Sequence, residues 1–494
     1  MSDTEVQVPA TEPTLGNQVS RALGWSTLAQ IIGRLGSFAV GIVLARLLTK
    51  EDFGAYAVTL AAINLLIVVN DLGVIAAIIR WQGEVREATR TGATLCFLFS
   101  LAAFVLVCIG AGPFARALGS PEAANLVRVV AIVLLIDGAT AAHQAMLVRT
   151  FRNDRLVVAE MSGFLVGTPV TVGLALAGAG PWSVVAGRVI GALAVGVMVV
   201  RFAPFPIKPG FDRPVASALV RFGAPLALSA LISQAVLNVD YILVGRELGA
   251  IELGVYLLAF NLSSWPASLV STAIARVAFA GFSRLVEDRE RLLTAFPRSI
   301  GVAVSVLVPL VVLLAILGPE VITFVYGERW LEAATPLRFL VVLGGLRVLI
   351  DLFVDLSIAD GRPNVALAVR SIWLALLVPA IGLGVAVGGL RGVGIAHAAV
   401  AGLVIVPLLL RDARRSGITV ALLAEHCSRP FLAGAVAAVV MLLVDPLVAG
   451  DLASLVLVGA AGSAAYLATF IPRNPLVGWV IAKVRPATVP AVST

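Results

Sequence analysis

The chain has 494 residues, of which 60% are hydrophobic and 13% charged, with a mean hydropathy of +1.01. A soluble domain carries about 25% charged residues, so a chain this apolar has lipid as its main solvent. The formal charge of +7 is then a signal of membrane topology, and it gives no ground for nucleic-acid binding. Three cysteines and three well-separated histidines offer neither a disulfide framework nor metal-ligand spacing.

Residues 1–20 are polar, include Asp3, Glu5 and Glu12, and read as a disordered cytoplasmic tail without the basic start and apolar core of a secretory signal. Apolar segments of bilayer-crossing length follow at 22–45, 54–79, 91–112, 124–148, 156–178, 182–201, 219–245, 253–275, 297–318, 333–356, 365–387, 392–410, 431–448 and 452–471. Each run is continuous and long, which predicts helices instead of barrel strands. The expected fold is therefore an all-α integral membrane protein of about fourteen transmembrane helices.

Charge placement tests this count. Of the 36 basic residues, 25 fall in the tails, the even-numbered loops or the span ends that border them, 6 in the odd-numbered loops and 5 deeper inside spans. The positive-inside rule then puts both termini in the cytoplasm. A miscounted helix would swap the sides partway and blur the ratio.

A phrase recurs across 200 residues. Ile42, Arg46, Leu48, Gly54 and Tyr56 are matched at identical spacing by Ile242, Arg246, Leu248, Gly254 and Tyr256. Each copy closes one apolar run at an arginine and opens the next at Gly-x-Tyr. The repeat predicts two six-helix lobes, 21–202 and 219–410, joined by a proline-rich cytoplasmic linker at 203–218. Two additional helices (411–471) and a cytoplasmic tail (472–494) complete the chain. Phe282, Leu285, Val286, Leu292, Leu293 and Phe296 lie at helical spacing within 276–296, which reads as a helix on the inner membrane surface. Pro169, Pro225, Pro266, Pro309, Pro379 and Pro407 interrupt spans, and the glycine-rich 382–389 reads as helix packing followed by an outer turn.

Charges inside the hydrocarbon are the candidate functional residues, because each costs about 2.5–3.5 kcal/mol at the bilayer centre on insertion scales. Arg34 lies midway along the first span among small residues. Arg188, Arg338 and Arg347 follow in later spans. An arginine holds a phosphate with paired hydrogen bonds and keeps its charge, so these four are the candidates for an anionic cargo. For Arg34 and Arg188, structural salt bridging or packing is the competing role. Arg347, Asp351 and Asp355 recur every four residues and share a helix face, where Arg347 and Asp351 could neutralise each other. Asp71, Asp137, Asp240, Asp351 and Asp355 are the candidates for a coupling proton or sodium ion. His143, Glu160 and His397 stand behind them. No catalytic constellation, metal cluster, cofactor motif or Walker sequence is present, and the short outer loops disfavour a membrane glycosyltransferase or polymerase.

Four stretches carry a family likeness: Ala45–Tyr56, Asp240–Gly249, Tyr326–Leu337 and Asp360–Pro363. They resemble the polysaccharide flippases, the Wzx and WzxC-like branch of the multidrug/oligosaccharidyl-lipid/polysaccharide exporter superfamily, over residues 20 to 410. The resemblance implies alternating access of two lobes around a central cavity in the bacterial inner membrane. It also implies a cargo of undecaprenyl-diphosphate-linked oligosaccharide for cell-surface polysaccharide synthesis, with membrane lipids, a polysaccharide polymerase and assembly proteins as partners. A cation-coupled drug antiporter or a lipid II flippase of the same superfamily is the alternative. The several arginines disfavour a cationic cargo.

Overall fold

The computed structural model describes residues 33, 35–66, 73–285, 289–448 and 450–471. Among them there is no strand. The helices are α1 (Leu35–Leu47), α2 (Lys50–Leu66), α3 (Val74–Arg80), α4 (Val85–Ala117), α5 (Ala123–Val130), α6 (Ile132–Arg149), α7 (Asn153–Leu176) and α8 (Trp182–Phe202). They continue as α9 (Arg213–Leu248), α10 (Ala250–Leu285), α11 (Arg289–Ile316), α12 (Gly318–Val325), α13 (Ala334–Ala359), α14 (Pro363–Ala399), α15 (Val406–Ala413), α16 (Val420–Val444) and α17 (Asp451–Phe470). Every predicted span overlaps a helix. Among the described residues, nine helical stretches are long and apolar enough to cross a membrane, and one of them, Asn364–Ser416, contains two of the predicted spans.

The chain forms two compact units. Unit 1 runs to Arg116 and from Ser120 to Gln234; unit 2 holds Ala117–Gly119 and the chain from Ala235 onward. The division falls inside α9, and the chain from Ala203 to Asp212 is non-helical and lies within unit 1.

The two copies of the repeated phrase close their turns by different chemistry. Between α1 and α2, the Asp52 amide donates to Thr49 Oγ1 at 3.1 Å and the Thr49 amide donates to Asp52 Oδ2 at 3.4 Å. These reciprocal bonds satisfy two free donors at a helix start, as in a capping box. Between α9 and α10, Gly249 takes φ +90°, the left-handed conformation that ends a helix without a Cβ penalty.

Unit 1 is built on backbone contact between α7 and α8. A Cβ on Gly167 would stand 2.7 Å from the Gly187 carbonyl, and one on Gly191 would stand 2.9 Å from that of Gly163. Small residues let membrane helices approach this closely, where dispersion replaces the missing hydrophobic drive. In unit 2, α16 and α17 dock on α11: Ala433, Ala437 and Tyr466 form a buried cluster against Val308. The Tyr466 hydroxyl donates to the Ser305 carbonyl at 2.8 Å.

The glycine-rich stretch is a break. Gly388 and Gly389 are non-helical (Gly389 at φ +53°) and divide α14 into two arms, and a π-helical segment, Val400–Ile405, follows the second arm. Five of the anticipated proline interruptions lie inside continuous helices, and Pro407 opens α15. The segment read as a surface helix, 276–296, is instead the end of α10 and the start of α11, with 286–288 outside the described residues. Both helices extend past their apolar runs, so the amphipathic spacing belongs to helix ends.

Loops sorted to the same side by charge meet one another within each unit. Arg149 donates to the carbonyls of Ile78, Ile79 and Trp81 at 2.9, 2.6 and 2.7 Å, joining the fourth loop to the second. Thr94 Oγ1 donates to the Gly210 carbonyl at 2.7 Å, joining the sixth loop to the base of α4. On the other side, the Asp52 carboxylate lies against Gly180. In unit 2, Arg362 binds Asp360 (2.9 Å), Asp412 and Ser416 (2.7 Å), while Ser357 donates to Asp412 at 2.9 Å. The Asp360–Pro363 motif is therefore a clamp that ties α13 and α14 to the end of α15.

Candidate functional site

Each unit gathers polar groups within its spans around the tyrosine of the repeated phrase. In unit 1, Arg188 of α8 is within electrostatic reach of Asp137 on α6 and of Tyr56 on α2. Its side chain is exposed, and among the described residues it closes no ion pair within 4 Å. α8 packs on α6, and Gly187 and Gly191 sit on the close face against α7. The glycines flanking Arg188 thus pack, while the guanidinium itself stays open.

In unit 2 the polar groups are buried and bonded. The Tyr256 hydroxyl on α10 donates to Asp240 Oδ2 on α9 at 2.7 Å. His397 Nε2 on α14 lies 3.2 Å from the same hydroxyl and 3.5 Å from Asp240 Oδ2. Asp240, Tyr256 and His397 are 1%, 0% and 4% exposed, so lipid and bulk water are kept out. Tyr241 meets Tyr256 edge-on at 5.9 Å, and Phe260 packs against both rings. The Arg347 guanidinium on α13 lies 5.8 Å above the Phe260 ring.

On the i, i+4, i+8 face of α13 the charges stand within electrostatic reach of one another without direct ion pairs among the described residues. Among the described residues Arg347 and Asp351 form no ion pair within 4 Å; Asp351 is within electrostatic reach of both Arg347 and Arg370, and Asp355 of Asp351 and Arg370. Arg338, exposed near the start of α13, has Glu320 as its electrostatic neighbour. His143 is buried with Nδ1 unbonded, and Glu160 is exposed on α7. Arg34 and Asp71 lie outside the described residues.

The structure therefore brings Arg188 to Asp137, and Asp240 to His397, and leaves Arg338 apart from both. Sequence reasoning passed over Tyr56 and Tyr256 as turn markers. It also grouped Arg370 with the charges of an even-numbered loop. The signal for the tyrosines was present in the repeat itself, since a polar ring held at the same offset in two membrane lobes needs a polar partner.

The arrangement has recognisable relatives. A family model described as "Polysaccharide biosynthesis protein" matches residues 43–335. The succinoglycan biosynthesis transport protein ExoT of Rhizobium meliloti (strain 1021) is 30% identical over 336 residues, 66% of each chain. The lipopolysaccharide biosynthesis protein WzxC of Escherichia coli (strain K12) is 25% identical over 379 residues, 75% of each chain. The teichuronic acid biosynthesis protein TuaB of Bacillus subtilis (strain 168) is 24% identical over 72% of this chain and 74% of its own. Among solved structures, the lipid II flippase MurJ in an inward closed conformation superposes with a TM-score of 0.76 at 13% identity, over 90% of this chain and 97% of that one. An inward-facing multidrug-resistance MATE transporter of the MOP superfamily superposes at 0.64 and 18% identity, over 79% and 95%. These two likenesses show the fold. With the family model spanning more than half of its length, the chain belongs to the polysaccharide biosynthesis protein family.

Proposed function

We infer that the protein is a flippase that moves undecaprenyl-diphosphate-linked oligosaccharide from the inner to the outer leaflet of the bacterial inner membrane, for assembly into cell-surface polysaccharide. The observation that carries this reading is Arg188: an exposed intramembrane arginine within electrostatic reach of Asp137 but without an ion pair within 4 Å among the described residues. A permanent cation at membrane depth is stabilised by an anion, and the diphosphate of the cargo that the sequence resemblance implies supplies one. Arg347 and Arg338 are further candidates for the phosphates or sugar hydroxyls, as is Arg34 outside the described residues. Asp137, Asp351 and Asp355, with Asp71 outside the described residues, are the candidates for charge compensation as cargo leaves.

Transport proceeds by alternating access, with both termini in the cytoplasm, no bond made or broken, and polymerase and assembly proteins taking up the product. Moving negative cargo outward also gains about 2.3 kcal/mol per charge per 100 mV of a potential negative inside. The MurJ-like fold supports one second reading, lipid II as cargo. In cells lacking the protein, lipid-linked repeat units accumulate on the cytoplasmic leaflet and surface polysaccharide is lost. The wild-type chain restores both and Arg188→Ala does not. Normal polysaccharide export in the deleted strain contradicts the reading, and rescue of peptidoglycan synthesis alone favours lipid II.

A further inference from the structure

The cluster of Asp240, Tyr256 and His397 has no place in cargo binding, because it is sealed from the surface. Its hydrogen bonds constrain where protons sit. The Tyr256 hydroxyl has one proton and spends it on Asp240 Oδ2 at 2.7 Å. Its oxygen can then only accept, so His397 Nε2, at 3.2 Å, is the N–H donor. That leaves two buried polar atoms without a protein partner, Asp240 Oδ1 and His397 Nδ1. Where Nδ1 carries no proton the imidazole is neutral, and the buried Asp240 carboxylate then has no cation within 4 Å among the described residues. Such a charge is costly in a low-dielectric interior. One more proton, on Nδ1 or on the carboxylate, makes the cluster neutral overall.

Two further groups face the cluster. From α9 comes Tyr241, an edge-on neutral ring. From α13 comes Arg347, within electrostatic reach of Tyr256 but positioned over Phe260. Among the described residues His397 is the basic side chain within 4 Å of Asp240. A hard metal cation such as sodium takes a shell of several oxygens. Here one carboxylate oxygen and one nitrogen are free, and among the described residues no metal-binding group of His, Cys, Asp and Glu is found.

The repeat sharpens the assignment. Gly180 opens α8 at φ +54° and Gly389 opens the second arm of α14 at φ +53°. Eight residues beyond these two left-handed glycines stand Arg188 and His397, and each lies beside the tyrosine of its own copy of the phrase. Each unit thus sets a basic side chain beside its copy of the tyrosine, a guanidinium in unit 1 and an imidazole in unit 2. Three residues after His397 the helix becomes π-helical, a feature that clusters at functional sites.

We propose that Asp240, Tyr256 and His397 form a binding site for a single proton in unit 2, and that its loading is coupled to transport; the coupling, though not the site, rests on the flippase reading above. The chain holds three histidines, His143, His397 and His426, so imidazole resonances of the labelled full-length protein in nanodiscs can be assigned with His397→Gln. One resonance, absent in His397→Gln, is expected to titrate with pH, to shift its titration in Asp240→Asn, and to ignore sodium at fixed pH. A His397 that keeps one neutral tautomer over the whole pH range of the folded protein overturns the site, as does a sodium-dependent shift. In proteoliposomes carrying lipid-linked oligosaccharide, His397→Gln is expected to lose the wild-type response of flipping to an imposed pH difference; a full response overturns the coupling. Absence of flipping by the wild type overturns the flippase reading and the coupling together, while the titration still decides the proton site.

Discussion

At the scale of single residues, the membrane interior makes each polar group's partner decide its role. Tyr256 is fully buried and holds Asp240, so Tyr256→Phe leaves a buried carboxylate oxygen without its donor. The expected cost is about 1–3 kcal/mol, read as a lowered unfolding temperature in detergent. Arg188 behaves differently because it is open. Arg188→Ala is expected to fold with near wild-type stability and to lose lipid-linked oligosaccharide binding. Arg188→Lys is expected to retain part of it, since an ammonium keeps the charge but not the planar fork. Wild-type binding by Arg188→Ala, measured on the purified protein, would remove the residue from the cargo site. Little of this division was legible beforehand. Asp240 and Tyr256 are separated by 16 residues, but His397 is 141 residues from Tyr256, and only packing brings α14 to α9 and α10. Asp240 and Asp137 look alike in sequence as lone carboxylates, yet one meets a buried histidine and the other an exposed arginine.

At the scale of helices, small residues carry the packing of unit 1. Gly167→Val is expected to force α7 and α8 apart, because any Cβ there meets the Gly187 carbonyl; loss of folded protein in size-exclusion chromatography is the measurement. Gly173→Ala in the same helix is the control, since nothing lies within 4 Å of its added Cβ. It should be neutral or stabilising by up to about 1 kcal/mol. Helix existence was readable because each span is a continuous apolar run. Helix length was not. α9 and α10 each have 36 residues, roughly 54 Å at 1.5 Å per residue, well beyond the hydrocarbon thickness. Hydropathy marks only the lipid-embedded part, so the amphipathic end of α10 and start of α11 read as a separate surface helix.

At the scale of the whole molecule, the repeated phrase and the arginine-rich even loops together specify a two-sided membrane protein. The loop pairs seen within each unit respect those sides. The orientation expected from charge is open to direct test. In a chain freed of its three cysteines, a cysteine at Lys208 is expected to react with an impermeant maleimide only after the cells are opened. One at Arg246 should react from outside; the reverse pattern inverts the topology. The family likewise was readable, because its turn motifs are contiguous, whereas the cluster is completed by α14, far along the chain from α9 and α10.

The central claim is that this chain flips diphosphate-linked oligosaccharides. Its most direct test is the purified protein in liposomes loaded with fluorescent undecaprenyl-diphosphate oligosaccharide, scored by the fraction exposed to an impermeant quencher. The account predicts that the wild type moves the label across the bilayer, that Arg188→Ala does not, and that a cationic dye is not transported. Dye transport without any movement of the lipid-linked sugar would contradict it.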